Sequence, residues 1–318
     1  MTRLLIGGYS GDKGDGAGIS VLEGDRVTAT IPALSPSWIA RHPHLPVLYA
    51  VSEADEGRVC AWALDDGMPA REMGRGQTGG SEPAHLAVDP SGRFLITANY
   101  SGGSISVHRL GEHGEIGPRT DLVQHDLHGE HPRQDAAHPH MIYVTQDSVL
   151  VVDLGADALY QYRLTDGGTL EFERIFDAPA GSGPRHALEV GGRYYITAEL
   201  SGQLLVFDRE GWLLGSVPAS TRPGQNQPSE LAARGGYLYV SNRGPNTVTV
   251  FALDSELPRY VAEVDVGNWP RHIALDGDLL YVANERSHEV MTLRIDPATG
   301  IPALEQTVQV PSPTVVLP

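Results

Sequence analysis

Residues 268–296 read NWPRHIALDGDLLYVANERSHEVMTLRID, and this is the most regular stretch of the sequence. It contains three short runs rich in β-forming residues, which end near Asp276, Asn284 and Asp296 and are joined by turn residues. Runs of this kind predict a meander of antiparallel strands. The same unit of about forty-five residues recurs along the whole chain, so it decides the fold.

The repeat is clearest in the residues that end the second strand of each unit, which are Tyr9, Ser52, Asn99, Asp153, Glu199, Asn242 and Asn284. Their successive spacings are 43, 47, 54, 46, 43 and 42 residues. A period in the forties with several strands per repeat is typical of a β-propeller. The seven units predict an all-β, seven-bladed β-propeller with four-stranded antiparallel blades, in one domain spanning residues 1–318.

The ends of the chain predict how the ring closes. The first strand of most units carries a Pro followed two residues later by a bulky residue, as in Pro184/His186 and Pro270/His272. No such strand precedes the first unit, but residues 312–317 supply the pattern at the far end of the chain. We expect this C-terminal strand to pair with the N-terminal blade, which leaves no open edge.

Composition restricts the partners. The chain has 23 basic and 40 acidic residues and a formal net charge of −17. This charge repels phosphates at long range, so we expect no nucleic-acid or membrane partner, and an anionic ligand needs a local cationic cluster. The single Cys60 excludes an internal disulfide, and we find neither a signal segment nor an apolar run of roughly twenty residues. We expect a soluble, cytoplasmic protein and leave its oligomeric state open.

Candidate functional residues come from two columns of the repeat. Consecutive antiparallel strands turn back on each other, so the start of each first strand should meet the end of the second strand at one mouth of the channel. Residues that break the repeat are the best candidates. Arg185 and Arg271 replace Ser, Ala or Thr of other blades, and Glu199 stands where the other blades have mostly Asn or Ser. Arg243 extends a second strand, and His138 occupies the register of the usual Pro.

Structural roles compete with these functional ones. His85, His140, His186 and His272 share one repeat position, which favours hydrogen bonds between blades. The arginines could pair with Glu53, Glu230 or Glu285 around the channel. The polar insertion at residues 111–140 holds His125, His128 and His131, and a metal site there is an alternative, although Gly129 and Pro132 argue against a helix that presents them on one face. We expect no cofactor, because phosphate-loop, dinucleotide and nucleophile-elbow motifs are missing from the sequence. We also expect no metal, since none is required, and whether one is bound stays open.

Five groups of residues occur in a fixed order along the chain. They are HPRQ at 131–134 with AHPH at 137–140, GPRH at 183–186, AEL at 198–200, SNRG at 241–244 and WPR at 269–271. In this order and spacing they resemble the seven-bladed lactonase family, which includes the propeller-type 6-phosphogluconolactonases and is related to a fungal 3-carboxymuconate cyclase. The resemblance covers nearly the full chain. It implies hydrolysis of an anionic sugar lactone, 6-phosphogluconolactone of the pentose phosphate pathway first of all.

The resemblance also implies a site. Its catalytic residues fall on His138, Arg185, Glu199 and Arg243, which the breaks in the repeat also select. The predicted substrate-binding residues are Arg271, His140, His186, Arg133, Gln134 and Glu285. Glu199 or His138 would activate water, Arg185 would stabilise the oxyanion, and Arg243 with Arg271 would bind phosphate or carboxylate. Which of His138 and His140 faces the ligand stays open.

Three other functions stay open. The first is a cyclase or lactonase for another carboxylated substrate, such as a carboxymuconate. The second is a non-catalytic interaction scaffold, although a cluster of arginines is costly to hold together without an anion. The third is a calcium-dependent sugar lactonase, which loss of activity with a chelator would indicate.

Overall fold

The computed structural model describes residues 3–146 and 148–318. Within these ranges the chain forms 28 β-strands arranged as seven separate sheets, with one short 3₁₀-helix at Gly11–Lys13. Each sheet has four strands, and each pairing within a sheet is antiparallel. This arrangement is a seven-bladed β-propeller of four-stranded blades, as the period of the sequence predicts.

The strands follow one another blade by blade along the chain. Blade 1 contains β1 (Arg3–Gly8), β2 (Gly18–Glu23) and β3 (Arg26–Pro32); blade 2 contains β4 (Ile39–Arg41), β5 (Val47–Ser52), β6 (Arg58–Asp65) and β7 (Met68–Gln77). Blade 3 contains β8 (Pro83–Val88), β9 (Phe94–Asn99), β10 (Ser104–Leu110) and β11 (Ile116–Gln124); blade 4 contains β12 (Pro139–Val144), β13 (Val149–Asp153), β14 (Ala158–Leu164) and β15 (Leu170–Asp177).

The remaining blades have the same order. Blade 5 contains β16 (Pro184–Val190), β17 (Arg193–Ala198), β18 (Gln203–Asp208) and β19 (Leu213–Pro218); blade 6 contains β20 (Gln227–Arg234), β21 (Tyr237–Arg243), β22 (Thr247–Ala252) and β23 (Arg259–Asp265). Blade 7 contains β24 (Pro270–Asp276), β25 (Leu279–Asn284), β26 (Glu289–Ile295) and β27 (Pro302–Gln309), and β28 (Pro313–Leu317) ends the chain.

Blade 1 is built from both ends of the chain. Strand β28 pairs antiparallel with β1, with Leu5 opposite Leu317 and Ile6 opposite Val316, and so completes the sheet in the order β28-β1-β2-β3. The two ends of the chain approach each other closely at the bulge near Gly8, where an added Cβ would lie 2.6 Å from the carbonyl oxygen of Ser312. The predicted pairing of the C-terminal strand with the N-terminal blade is therefore confirmed.

The chain divides into two compact units. One contains the residues up to Pro32 together with Pro184–Pro318, which form blades 1, 5, 6 and 7; the other is Ala33–Gly183, which forms blades 2, 3 and 4. The single domain that we expect over residues 1–318 stays a prediction. Among the described residues no helix has the length and hydropathy needed to cross a bilayer.

Within each unit the apolar cores lie between neighbouring blades. In the first unit, Ile6, Val316 and Tyr281 pack between blades 1 and 7. In the second, Phe94 and Val151 pack between blades 3 and 4. The middle strands are apolar on both faces and almost fully buried, because each blade is covered on two sides. Adjacent blades therefore bury their faces against each other, which holds the strand ends in register.

Candidate active site

The strand registers place the two repeat columns together within each blade. Pro184 lies opposite Ala198 in blade 5, and Pro270 lies opposite Asn284 in blade 7. A register shift follows the Pro in both blades, so the next residue stands outside the regular ladder. This confirms, blade by blade, that the start of the first strand meets the end of the second.

The first unit brings three predicted catalytic residues into direct contact. Arg185 is the second residue of β16, Glu199 follows β17 and Arg243 ends β21. Glu199 Oε2 accepts a hydrogen bond from Arg243 Nη2 at 2.5 Å and lies 3.1 Å from Arg185 Nε. The three residues are only 2%, 2% and 4% exposed. One buried carboxylate therefore holds two guanidinium groups from two blades.

Backbone carbonyls fix the two guanidinium groups further. Arg185 Nη1 donates to Ser229 O at 2.7 Å, and Arg243 Nε donates to Gln227 O at 3.1 Å. Both carbonyls belong to β20. This strand lies between the two arginines in sequence and accepts a hydrogen bond from each of them. In the described part of the chain, Arg185 Nη2 and Arg243 Nη1 form no hydrogen bond, so each arginine keeps one donor group for a ligand.

Burial and like charge strain this cluster electrostatically. Burial lowers the pKa of Arg185 to about 9, and the neighbouring Arg243 and Arg271 act in the same direction, against Glu199 and Glu230. The guanidinium still carries its proton at neutral pH. A negative ligand would relieve this repulsion, so the cluster favours anions or an oxygen that gains negative charge.

Arg271 completes the positive side of the cluster. It lies at the start of β24, with Nη1 3.6 Å from Glu285 Oε2, and both side chains remain partly exposed. Its guanidinium also covers the ring of Tyr9, 4.8 Å from the ring centroid. The pairing of Arg271 with Glu285 matches the structural role that we weighed for the arginines, and both residues keep some access to solvent.

His186, one of the predicted substrate-binding residues, faces into the protein. It is almost fully buried, and its Nδ1 lies 2.9 Å from Glu230 Oε2 of blade 6. The same carboxylate oxygen is 3.5 Å from His272 Nε2 of blade 7, and His272 Nδ1 accepts the N–H of Val316 at 3.4 Å. The shared repeat position of these histidines is therefore used for contacts between blades. The substrate-binding role of His186 stays a prediction.

Burial is the largest cause of the shifted pKa values of His272, His186 and Glu230. It lowers the pKa of His272 to about 4, against the charge of Glu230, and it lowers the pKa of His186 well below 6.5 together with Arg185. It raises the pKa of Glu230. The two imidazoles are thus held neutral in the folded protein around neutral pH.

We expect the free energy of unfolding to fall as the pH drops from about 6.5 to about 4. In this window the unfolded chain protonates imidazoles that the folded chain keeps neutral, so protons favour unfolding. His272 alone corresponds to about 3 kcal/mol, and Glu230 opposes it because its pKa is raised. Denaturant unfolding as a function of pH measures the slope. His272→Asn should flatten the dependence of the unfolding free energy on pH, whereas replacement of the exposed His113 by Asn should leave it unchanged. Equal slopes for wild type and His272→Asn would contradict the prediction.

The second unit fixes His138 at the start of blade 4. Its backbone N–H donates to Asp153 Oδ1 at 2.7 Å, and its ring stacks on Tyr100 with centroids 4.6 Å apart. Nδ1 lies 3.0 Å from the carbonyl oxygen of Tyr100, and Nε2 lies 3.2 Å from the exposed carboxylate of Asp135. A carbonyl oxygen only accepts, so Nδ1 carries the hydrogen in its contact; the Asp135 carboxylate likewise only accepts, so Nε2 is the donor whenever that contact is formed.

The other predicted residues of this unit differ in their access to a ligand. His140 is buried edge-on against Tyr100, whereas Arg133 is exposed, with Nη2 3.5 Å from Tyr100 Oη. Gln134 is fully buried; its Nε2 donates to Leu154 O at 2.8 Å, and its Oε1 accepts from His131 N at 3.3 Å. Both ends of the Gln134 amide thus hold the loop, and its substrate-binding role stays a prediction. Of His138 and His140, His138 is the more exposed.

The three loop histidines of the metal alternative are not gathered. His125 is buried, with Nδ1 2.7 Å from Asp153 Oδ2 and Nε2 2.8 Å from Tyr162 Oη, so both of its nitrogens are engaged. His131 Nδ1 accepts the N–H of Arg133. Within residues 3–146 and 148–318, no group of three or more His, Cys, Asp or Glu side chains has the geometry of a metal site. His125 anchors the insertion to blade 4.

Two features of the first unit were missed from the sequence. Glu230 was considered only as a partner of the arginines, yet it joins two histidines. Trp269 packs beneath Arg243 and Arg286, whose guanidinium carbons lie 5.6 Å and 3.4 Å from its ring centroid. A signal for Trp269 was present, because the other blades have Ser, Glu, Gly, His or Gln before the first-strand Pro and none of them has Trp.

Comparisons with known proteins agree with this architecture. A family model described as lactonase, 7-bladed beta-propeller, matches residues 3–318. A protein named 6-phosphogluconolactonase from Bacillus subtilis (strain 168) is 30% identical over 345 residues, covering 99% of this chain and 98% of that protein. The solved structure of a periplasmic gluconolactonase from Pseudomonas aeruginosa superposes with a TM-score of 0.89 at 29% identity, covering 99% and 98%. The chain therefore belongs to the seven-bladed β-propeller lactonase family and is a lactone-hydrolysing enzyme.

Proposed function

We propose that the protein hydrolyses 6-phosphogluconolactone to 6-phosphogluconate, the lactone-opening step of the oxidative pentose phosphate pathway. The observation that carries this proposal is the buried contact of Glu199 with Arg185 and Arg243. On a chain of net charge −17, these guanidinium groups and Arg271 form a local positive cluster. The names of the relatives from Bacillus subtilis and Formosa agariphila support the same substrate.

Arg185 is our candidate for stabilising the oxyanion. Hydrolysis of a lactone passes through a tetrahedral intermediate whose former carbonyl oxygen becomes negative. A donor fixed in advance by other contacts stabilises that charge without reorganising, which is typically worth about 3 kcal/mol. Arg185 has this property because Ser229 O and Glu199 hold two of its nitrogens, while Nη2 forms no hydrogen bond to the described residues.

Glu199 is better suited to positioning than to proton transfer. Its Oε2 contacts both guanidinium groups, so protonation would weaken two buried ion pairs at once. We therefore propose that Glu199 orients Arg185 and Arg243. We keep His138 as the candidate general base: the Tyr100 carbonyl engages Nδ1, and Nε2 is the nitrogen that would take a proton from water once the exposed Asp135 carboxylate moves away from it. General-base help of this kind is worth roughly 10²- to 10⁴-fold in rate.

We expect purified protein to open 6-phosphoglucono-δ-lactone well above the spontaneous rate, and to keep this activity in the presence of EDTA. The reason is that the proposed chemistry uses only arginine and histidine side chains. Lactone consumption is followed in buffer with and without protein. A rate equal to the spontaneous one would contradict the proposal, and loss of the rate with EDTA would favour a metal-dependent lactonase.

A second substrate is glucono-δ-lactone, which lacks the phosphate. The specific observation in its favour is the similarity to the Pseudomonas aeruginosa protein, which is named a gluconolactonase. The two lactones share the reacting ester and differ only at the far end of the sugar. Residues that bind the far end of the sugar, and not Arg185, would therefore discriminate between the two lactones.

A further inference from the structure

Arg286 is a cation at this site for which the described residues supply no acidic partner. It follows β25 in the turn after Glu285, its side chain is exposed, and its backbone N–H donates to Asn268 O at 3.1 Å. Among residues 3–146 and 148–318, its guanidinium forms no ion pair and no hydrogen bond. By contrast, Arg185 and Arg243 share Glu199, and Arg271 lies near Glu285. Arg286 thus offers a full guanidinium fork to a ligand.

The indole of Trp269 holds Arg286 in place. The guanidinium carbon lies 3.4 Å from the ring centroid, the distance of a stacked cation–π contact. The two backbones are also joined, because Glu285 N–H donates to Trp269 O at 3.1 Å directly beside the Arg286 bond to Asn268. The position of Arg286 is therefore fixed from two sides although the side chain is exposed.

The geometry of the turn explains the positive φ of Trp269, but it does not explain why the residue there is a tryptophan. Trp269 has a φ of +65°, and the residues before the first-strand Pro of four other blades also have positive φ: Ser35, Glu82, Gly183 and Ser312. The left-handed conformation is thus a property of this turn. Small or polar residues occupy it elsewhere, and a bulky aromatic is disfavoured there. The presence of Trp269 is accounted for by the two guanidinium groups that its ring contacts.

These contacts form an ordered row from the reacting end outward. Arg185 contacts Glu199, Glu199 contacts Arg243, Arg243 lies over Trp269, and Trp269 stacks on Arg286. In a 6-phosphorylated sugar lactone, the phosphate and the carbonyl are likewise at opposite ends of the molecule. A substrate whose carbonyl oxygen meets Arg185 would extend its phosphate along this row.

We propose that Arg286, stacked on Trp269, binds the distal phosphate of a phosphorylated sugar lactone and sets the preference for it over the unphosphorylated lactone. The inference rests on the proposed function and deepens it. An exposed arginine with a free planar fork matches two phosphate oxygens at once. The unphosphorylated lactone has no group for this contact, so it gains nothing from Arg286.

The test compares Arg286→Gln with wild type on both lactones. We expect KM for 6-phosphoglucono-δ-lactone to rise roughly 10- to 100-fold with kcat little changed, since a charged hydrogen bond to the phosphate is lost in ground and transition states alike. KM for glucono-δ-lactone should stay at the wild-type value. Arg286→Lys keeps the charge without the fork and should recover part of the affinity. Arg209→Gln, which removes an exposed arginine paired with Glu189, is the matched control and should change neither KM.

Binding of 6-phosphogluconate and gluconate by calorimetry separates this inference from the proposed function. Weaker binding of 6-phosphogluconate alone in Arg286→Gln supports the phosphate contact, even if turnover were absent. An unchanged KM and unchanged binding would overturn the inference while wild-type lactonase activity stands. An equal loss for both lactones would overturn it as well, because it would show a general role in shaping the site.

Discussion

Replacement of Arg185 by alanine is expected to lower kcat/KM for 6-phosphoglucono-δ-lactone by about 10²- to 10³-fold. The variant loses the donor that we assign to the oxyanion, and water that enters the space is not fixed by Ser229 O and Glu199 as the guanidinium is. Steady-state kinetics, corrected for spontaneous opening of the lactone, measure the loss. We expect most of it in kcat, because the interaction strengthens as negative charge develops.

Two controls separate chemistry from folding in this experiment. Arg209→Ala removes an exposed arginine from the same blade and should leave kcat/KM at the wild-type level. Arg185→Lys keeps the charge but not the geometry and should retain only part of the activity. Each variant is checked for wild-type circular dichroism. Full activity in a folded Arg185→Ala protein would refute the role of Arg185.

Replacement of Glu199 by glutamine should lower the free energy of unfolding by about 3–5 kcal/mol. The change is nearly isosteric, yet it removes the negative charge that both Arg185 and Arg243 contact. Two buried guanidinium groups would then face each other without compensation, and burial already lowers the pKa of Arg185 to about 9. Denaturant unfolding followed by tryptophan fluorescence measures the difference.

Glu189→Gln is the matched control for this substitution. Glu189 lies in the same blade and pairs with Arg209 at 2.7 Å, but Arg209 is exposed and Glu189 is partly exposed, so solvent screens that pair. Its loss should change stability far less than the loss of Glu199. If the two variants were equally stable, the buried pair would not hold the site together, and our assignment of Glu199 to positioning would be wrong.

The repeat in the sequence predicts the fold because its signals are local. Strand ends such as Asn99 and Asn284 are marked by turn residues, and the first-strand prolines lie opposite them as the spacing requires. The pairing of β28 with β1 is also predictable, because the first unit lacks a first strand and residues 312–317 have its pattern. Each of these conclusions depends on the period and on residue patterns within single strands and turns.

The contacts between blades are less predictable, because they depend on side-chain directions. His186 and Arg185 are neighbours in sequence, yet one faces Glu230 and the other faces Glu199. In the insertion, His125 and Gln134 have the residue types of a binding loop, but both are buried and engaged with blade 4 or with the loop itself. Composition indicates that such a segment is polar and does not show which side chains are enclosed.

Trp269 and Arg286 show a different limit of the sequence. They lie in turns outside the two columns that define the repeat, so neither column includes them. Their contact follows from the way the turns before β24 and after β25 extend the strand pair, with Asn268 and Trp269 opposite Arg286 and Glu285. A comparison of turns, in addition to strands, would have singled out Trp269 as an unusual residue.

The most direct test of the central claim is a crystal structure of the protein with 6-phosphogluconate, the product of the proposed reaction. We predict that its carboxylate lies within hydrogen-bond distance of Arg185 and that its phosphate extends toward Arg286. A product molecule bound without contact to Arg185, Arg243 or Arg271 would contradict the account, because the paired arginines around Glu199 would then have no part in substrate recognition.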